Sequence, residues 1–350
     1  MIRRKIMPLA LSLGVASVLL GGCGLGGNNK NVEQGMAAIA NQDYEAALAC
    51  FDTAADAGED KRLIDRGRGI AHMGQLEYET ALSDFENALH ASNGLIKPVD
   101  YDISYYLAMT EYKLGQLDEA QNTYSAIINL DDEAADAYYL RGKVELLKGD
   151  KEAAIADYDK AVAIKSSDYD MYIKIYEDLF SCSYENEAMR YIDMAMENNS
   201  RMNDYQQGLM LYYKGNYDEA RSCLEKARED DDSAILILSL GKCYEALGDV
   251  NYATGLYTSY IEKNEGDAAI FNQLGLMKLK QEDYKSALEA FEKGLALADS
   301  SYNQSLMFNE IVAYEYLNDF KKASVCMQEY LKMYPEDWEA LREYDFLKTR

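Results

Sequence analysis

Small and large apolar residues recur along this chain at helical spacing. Ala47, Phe51 and Ala54 sit at i, i+4 and i+7, one stripe of a helix. The same triplet returns as Ala81/Phe85/Ala88 and Ala154/Tyr158/Ala161. Weaker versions are Ala120/Tyr124/Ile127, Ala188/Ile192/Ala195 and Ala220/Leu224/Ala227, followed by Ala253/Tyr257/Tyr260, Ala287/Phe291/Gly294 and Ala323/Met327/Tyr330. The first alanines lie 34, 39, 34, 34, 32, 33, 34 and 36 residues apart, a register too regular for chance. Twelve residues before each stands Gly35, Gly69, Ala108, Gly142, Tyr176, Gly208, Gly241, Gly275 or Ile311. Glycine inside a helix costs about 1 kcal/mol relative to alanine, so six glycines at one register predict a close helix approach, glycine against alanine. Between the two positions, Gly115, Gly149, Gly215, Gly248 and Asn318 suit a left-handed helix C-terminus and a tight turn. Tyr44, Tyr78, Tyr217, Tyr284 and Phe320 then open a second helix. Each copy reads as an αα-hairpin.

The pattern resembles the tetratricopeptide repeat, a helical hairpin of about 34 residues with small residues and an aromatic at fixed places. The best local matches are Leu240-Gly241-Lys242-Cys243-Tyr244 with Gly248, and Leu274-Gly275 with Tyr284, Ala287 and Phe291. Copies five and nine depart at the small site, with Tyr176 and Ile311, and only the ninth carries the terminal proline, Pro335. The resemblance covers roughly residues 28–337 and implies an all-α fold, a right-handed α-solenoid of about nine hairpins over residues 31–337. Trp338, Leu341 and Tyr344, at three-residue steps, predict a C-terminal capping helix in 338–350. The 39-residue spacing places five extra residues near Ser92–Val99, a longer turn or a mild break in the stack. No separate domain is apparent.

The same resemblance points to function. First helices of successive repeats line a concave groove in this family. Carried over, repeats three to six present Tyr105, Tyr106, Met109 and Tyr112, then Tyr139, then Ile173 and Phe180, then Tyr205, Leu209, Tyr212 and Tyr213. Tyrosine offers wide contact area with a polar tip, which suits a peptide segment of an envelope or secreted protein. The alternatives are a small molecule or glycan held by the same tyrosines, or tyrosines that only pack between helices. The lysine and asparagine pattern with which chaperone-binding relatives hold a terminal carboxylate is missing. Lys143, Lys174 and Lys242 are the few basic groove positions.

The N-terminus carries an address. Arg3, Arg4 and Lys5 precede a mostly apolar run from Ile6 to Leu20, which is signal-peptide length and short of the roughly 20 residues of a membrane span. It ends in Leu20-Gly21-Gly22-Cys23, which resembles a bacterial lipobox. That resemblance implies removal of residues 1–22 and lipidation of Cys23, followed by a flexible tether over 23–30. The expected location is the extracytoplasmic face of a cell membrane, held through the lipid alone.

Composition narrows the chemistry. The chain of 350 residues carries 35 Lys and Arg against 61 Asp and Glu, a net charge of −26 that becomes −29 without residues 1–22. Nucleic acid and anionic lipid headgroups are poor partners for such a body. Only two histidines are present, His72 and His90, at unrelated repeat positions, and no hydrolase, zinc-protease or phosphate-loop motif occurs. Neither a cofactor nor a metal site is expected, and the reading is non-enzymatic. The run Glu229-Asp230-Asp231-Asp232-Ser233 lacks the ligand spacing of a calcium loop and sits where carboxylates cap the next helix, as do Asp131-Asp132-Glu133 and Asp168-Tyr169-Asp170. Cys50, Cys182, Cys223, Cys243 and Cys326 read as small hydrophobes, with Cys223 and Cys243 the one pair considered for a disulfide.

Overall fold

A computed structural model describes residues 29–91, 96–197, 201–264, 266–297, 300–335 and 337–349. Cys23, the proposed leader before it and most of the proposed tether lie outside the described residues. Nineteen helices are described: α1 (Lys30–Ala40), α2 (Tyr44–Asp56), α3 (Lys61–Gly74), α4 (Tyr78–His90), α5 (Pro98–Lys113), α6 (Leu117–Leu130), α7 (Ala135–Leu147), α8 (Lys151–Ile164), α9 (Tyr169–Ser181), α10 (Glu185–Glu197), α11 (Asp204–Tyr213), α12 (Tyr217–Asp230), α13 (Ala234–Ala246), α14 (Val250–Lys263), α15 (Ala268–Lys280), α16 (Tyr284–Ala296), α17 (Ser300–Tyr316), α18 (Phe320–Met333) and α19 (Trp338–Leu347). No strand occurs among the described residues, and the fold is an all-α solenoid of helical hairpins.

The chain falls into two compact units that divide after Tyr191, inside α10. The repeat periodicity runs through this point without a marker. In the first unit, α1–α2, α3–α4, α5–α6 and α7–α8 pair as hairpins, and α3, α5 and α7 each pack on the preceding hairpin's second helix. First helices also touch one another, α1 with α3, α3 with α5 and α7 with α9. In the second unit, α11–α12, α13–α14, α15–α16 and α17–α18 form hairpins, with first-helix contacts α11–α13, α13–α15 and α15–α17. The stripe residues are the core: Ala47, Phe51, Ala81, Phe85, Ala154, Tyr158, Ala287 and Phe291 are all 0% exposed.

The repeated glycines have a more specific reason than alanine contact. A Cβ on Gly275 would lie 2.3 Å from Cε1 of Phe291, and one on Gly142 would lie 2.9 Å from Cε1 of Tyr158 and 3.1 Å from the Ala154 carbonyl oxygen. The aromatic of the second helix therefore fills the space beside the glycine, and the alanine lets the backbones close around it. Where the small residue is lost, the partner changes too. In the ninth copy, Ile311 and Met327 are fully buried in one cluster, a larger residue on the first helix against a slimmer one on the second. Tyr176 is buried and stacks on Phe180, centroids 5.4 Å apart.

Aspartate supplies the helix starts. Asp43, Asp60, Asp150 and Asp168 in the first unit accept backbone N–H bonds in the first turns of α2, α3, α8 and α9. In the second unit Asp249, Asp267, Asp283, Asp319 and Asp337 do the same for α14, α15, α16, α18 and α19. Part of the acidic excess is thus spent on capping. Asp168 caps as expected, whereas Asp131 and Asp231 hold the turn just before the helix, at the Glu133 and Ser233 N–H groups. Gly115, Gly149, Gly215, Gly248 and Asn318 adopt the predicted left-handed backbone, and Gln42, Leu76, Ser183 and Glu282 adopt it without help from glycine.

α19 forms at the predicted place and packs on α18, but through a different stripe. Ala340 and Leu347 are buried and Tyr344 is half-buried, while Trp338 is 65% exposed and Leu341 is exposed as well. The long connection between α4 and α5 ends in Pro98 at the first helical position, with the Asp100 carboxylate accepting the Lys97 N–H at 2.7 Å. Beside it lies an open groove of about 450 Å³, lined by Leu89, Ile96, Leu107, Ile127, Leu130 and Asn122 among others.

Candidate functional site

In the first unit, several side chains tie one first helix to the next. Arg62 on α3 donates to both oxygens of Asp100 on α5, at 3.1 and 3.3 Å, and both residues are buried. One turn on, Arg66 Nε donates to Asp102, its guanidinium lies 5.7 Å from the ring centroid of Tyr106, and Nη1 reaches the Met36 sulfur on α1 at 3.7 Å. Tyr106 in turn stacks on Phe85, centroids 5.6 Å apart and 11° from parallel. A second node joins α7 to α9: Tyr139 Oη and Lys143 Nζ both donate to Asp178, at 2.9 and 2.7 Å. Burial works to lower the Lys143 pKa, and the Asp178 carboxylate more than offsets it. Burial, followed by the charge of Asp178, pushes the Tyr139 hydroxyl far above its ordinary range, so it remains a donor.

Of the residues predicted to line the groove, Tyr105, Tyr106, Met109, Tyr112 and Tyr139 are half-buried and belong to the first unit. Tyr105 lies near Tyr124, centroids 6.4 Å apart, and burial, with Asp136 and Asp131, raises its pKa. Tyr139 lies against Tyr158 at 5.9 Å. These rings are therefore packing elements with a partly open edge. Ile173 is only 6% exposed, so it belongs to the packing and is corrected out of the accessible set. Phe180 is 44% exposed and Leu147 is 53% exposed, at the ends of α9 and α7 nearest Asp178 and Lys143.

Tyr205, Leu209, Tyr212 and Tyr213 are half-buried on α11 in the second unit. Tyr205 and Tyr212 pack on the core of that unit, and Tyr212 makes ring contacts with Tyr213 and Tyr217 at 5.8 and 5.5 Å. First helices here are tied differently. Asn309 on α17 donates its amide to Asn272 on α15 at 2.8 Å, with both side chains buried, and Lys280 reaches Glu245 at 3.2 Å. Phenol–carboxylate bonds join neighbouring repeats, from Tyr244 to Glu225 and from Tyr314 to Glu292.

Family comparison agrees with this hairpin geometry. Models described as tetratricopeptide repeat match residues 32–95, 66–120, 105–169 and 205–268, and a further one matches 268–301. The chain belongs to the tetratricopeptide repeat family. A TPR repeat-containing protein of Methanocaldococcus jannaschii is 24% identical over 248 residues, 67% of this chain and 42% of that protein. Anaphase-promoting complex subunit CDC16 of Saccharomyces cerevisiae is 25% identical over 206 residues, 56% of this chain and 24% of that subunit. The chain thus spans less than half the length of these curated relatives. A crystal structure of a tetratricopeptide repeat protein from Parabacteroides merdae superposes with a TM-score of 0.52 at 16% identity, covering 72% of this chain and 98% of that one. Tetratricopeptide repeats serve as protein–protein interaction scaffolds by means of extended concave surfaces.

Both histidines of this tetratricopeptide repeat protein have partners within their own repeat. His72 Nδ1 meets Asp84 Oδ2 at 2.6 Å and His90 Nδ1 meets the Glu86 carbonyl oxygen at 2.8 Å. Cys223 and Cys243 are free thiols, as are Cys50, Cys182 and Cys326. Burial pushes Cys243 up to about 12 and Cys326 up to about 11, which suppresses their thiolates. The sequence reading missed two features. One is the apolar stripe of the first repeats: Met36, Ile70 and Met73 continue the band of Met109 and are half-buried. The other is the cluster of Arg141, Glu145, Asp157 and Gln121 between α6, α7 and α8, in which the two carboxylates are buried. Burial, then Asp157, pushes Glu145 up to about 7. Helical spacing from Arg66 marks Ile70 and Met73, whereas Met36 and the carboxylate cluster have no such sequence signal.

Proposed function

We propose that this protein is a lipid-anchored, non-enzymatic scaffold whose first-helix faces hold a segment of an envelope protein beside the membrane. The observation that carries the reading is the inner face of the first unit. Arg66 and Lys143 are tied to Asp102 and Asp178, which leaves half-open tyrosines and methionines, with exposed Leu147 and Phe180, as the main contact surface. Such a face gains free energy by covering apolar area and needs no free charge to do so. The lipobox-like Leu20-Gly21-Gly22-Cys23 supports anchoring through Cys23, since two or more acyl chains hold a protein stably where one does not.

The test of the surface is in-cell crosslinking with Tyr112, Leu147 and Phe180 changed together to Ala. Loss of a specific crosslinked partner from a normally folded variant is expected, and unchanged recovery would sink the assignment. For the anchor, Cys23→Ala should move the protein out of the membrane fraction, and retention there would end that part of the reading.

A further inference from the structure

The partner's chemistry can be narrowed from the first unit alone. Along α3, Arg66, Ile70 and Met73 share one face, being four and seven residues apart, and Asp102 and Met109 do so along α5. Arg66 binds Met36 on α1 and Asp102 on α5, so it aligns these stripes in one surface. The result is a band of Met36, Ile70, Met73 and Met109 on three successive first helices, all half-buried. Unbranched thioethers adapt to varied apolar shapes, which favours a partner with leucine- or methionine-type anchors.

The charges around this band favour one sign of partner. Arg66 is held by Asp102 and covers Tyr106, and Arg62 is held by Asp100. Arg62 is closed to an incoming carboxylate by its burial, and Arg66 by its bond to Asp102. Further along, Lys143 is occupied by Asp178. Exposed Lys113 and Lys174 remain, but residues 29–191 hold fifteen Lys and Arg against thirty-two Asp and Glu. Such a field attracts cations and repels anionic segments before contact. Exposed Glu33 lies on α1 three residues before Met36, beside the band itself.

We infer that the band of Met36, Ile70, Met73 and Met109 docks a cationic apolar segment of a partner protein, its apolar side chains on the methionines and its Lys or Arg flanks towards the acidic surroundings. This rests on the scaffold reading above and adds the class of partner.

Two synthetic peptides with one shared leucine pattern, flanked by lysines or by glutamates, test the idea by fluorescence anisotropy on the full chain. The lysine peptide should bind at least about tenfold more tightly than the glutamate peptide, a difference of about 1.4 kcal/mol, and weaken as salt rises. Met36→Gln with Met109→Gln should weaken it by about tenfold, because the charge is kept and the apolar contact is lost. Met36→Leu with Met109→Leu should retain binding and serves as the folding control. Equal or better binding of the glutamate peptide overturns the inference, as does absence of binding by either. Lysine-peptide binding that is indifferent to the glutamine pair also overturns it, since charge alone would then suffice. If the inference fails while the partner crosslink still depends on Tyr112, Leu147 and Phe180, the scaffold reading survives it. If that dependence is lost as well, both fall.

Discussion

The two units solve one packing problem with different chemistry. Both stack the same hairpin, with an alanine and a large side chain in register. In the first unit the first helices are joined by charge, through Arg62–Asp100, Arg66–Asp102 and Lys143–Asp178. The second unit uses a neutral amide pair, Asn309–Asn272, with Lys280–Glu245 as a more exposed ion pair, while phenols on carboxylates occur in both units, at Tyr139–Asp178, Tyr244–Glu225 and Tyr314–Glu292. A buried charge left alone costs far more than an amide left alone. The first unit should therefore be the more fragile to single deletions and the more sensitive to pH.

The largest effect should come from Asp100→Ala. It strands a guanidinium whose Nε already has no partner and removes the acceptor for the Lys97 N–H. A loss of about 3–5 kcal/mol is expected, read by urea unfolding with hydrogen exchange localised to α3 and α5. The counterpart in the second unit, Asn309→Ala, should cost about 1–3 kcal/mol, and a larger loss than for Asp100→Ala would reverse the comparison.

Next comes the glycine register. Gly275→Ala drives a methyl into Phe291 and should cost about 1–3 kcal/mol. Gly255→Ala, also in the second unit, meets nothing within 4 Å and should gain up to about 1 kcal/mol from helix propensity. Thermal melts of the two variants should move in opposite directions.

Glu145→Gln sharpens the pH contrast. The folded pKa is raised to about 7 against an ordinary carboxylate value in the unfolded chain, so the native state holds the extra proton. That contribution is present below the unfolded pKa and fades as pH rises towards 7, where the ionised side chain shares one Arg141 with Asp157. The glutamine variant should then be more stable than the parent at pH 8, by about 1–2 kcal/mol after allowing for solvent screening, with little change at pH 4. A flat difference across that range would mean that Glu145 does not titrate there.

The smallest effects lie in the turns. Leu76→Gly and Glu282→Gly relieve left-handed backbone, at φ 64° and 62°, and should each gain about 0.5–1 kcal/mol in chemical denaturation. Ser183→Gly should behave alike, and a loss at all three would show that these side chains are held by more than backbone geometry.

Much of the fold was legible because it is periodic. Ala287 and Phe291 identify a second helix, Gly275 its partner and Asn318 a turn without reference to any distant residue. Periodicity could not rank exposure within a stripe. Ile173 has the register of an inward position and is buried, while Trp338, the largest apolar side chain of α19, is exposed. The tyrosines were legible as recurring register positions, yet their bonding was not. Tyr139 is fastened by Asp178, a carboxylate thirty-nine residues away whose register announces nothing.

Sequence by itself determined the hairpin, its length and its turn chemistry, because these depend on residues within one repeat and on local backbone preference. The lipobox-like Leu20-Gly21-Gly22-Cys23, on which the proposed anchor rests, is likewise legible in adjacent residues alone. Tertiary structure decided which charges are spent on one another, which apolar side chains keep an open edge, and where the stack divides into two units. Those outcomes depend on residues a full repeat or more apart, and on burial, which turns the same carboxylate into a cap at Asp283, a tie at Asp102 or a proton holder at Glu145.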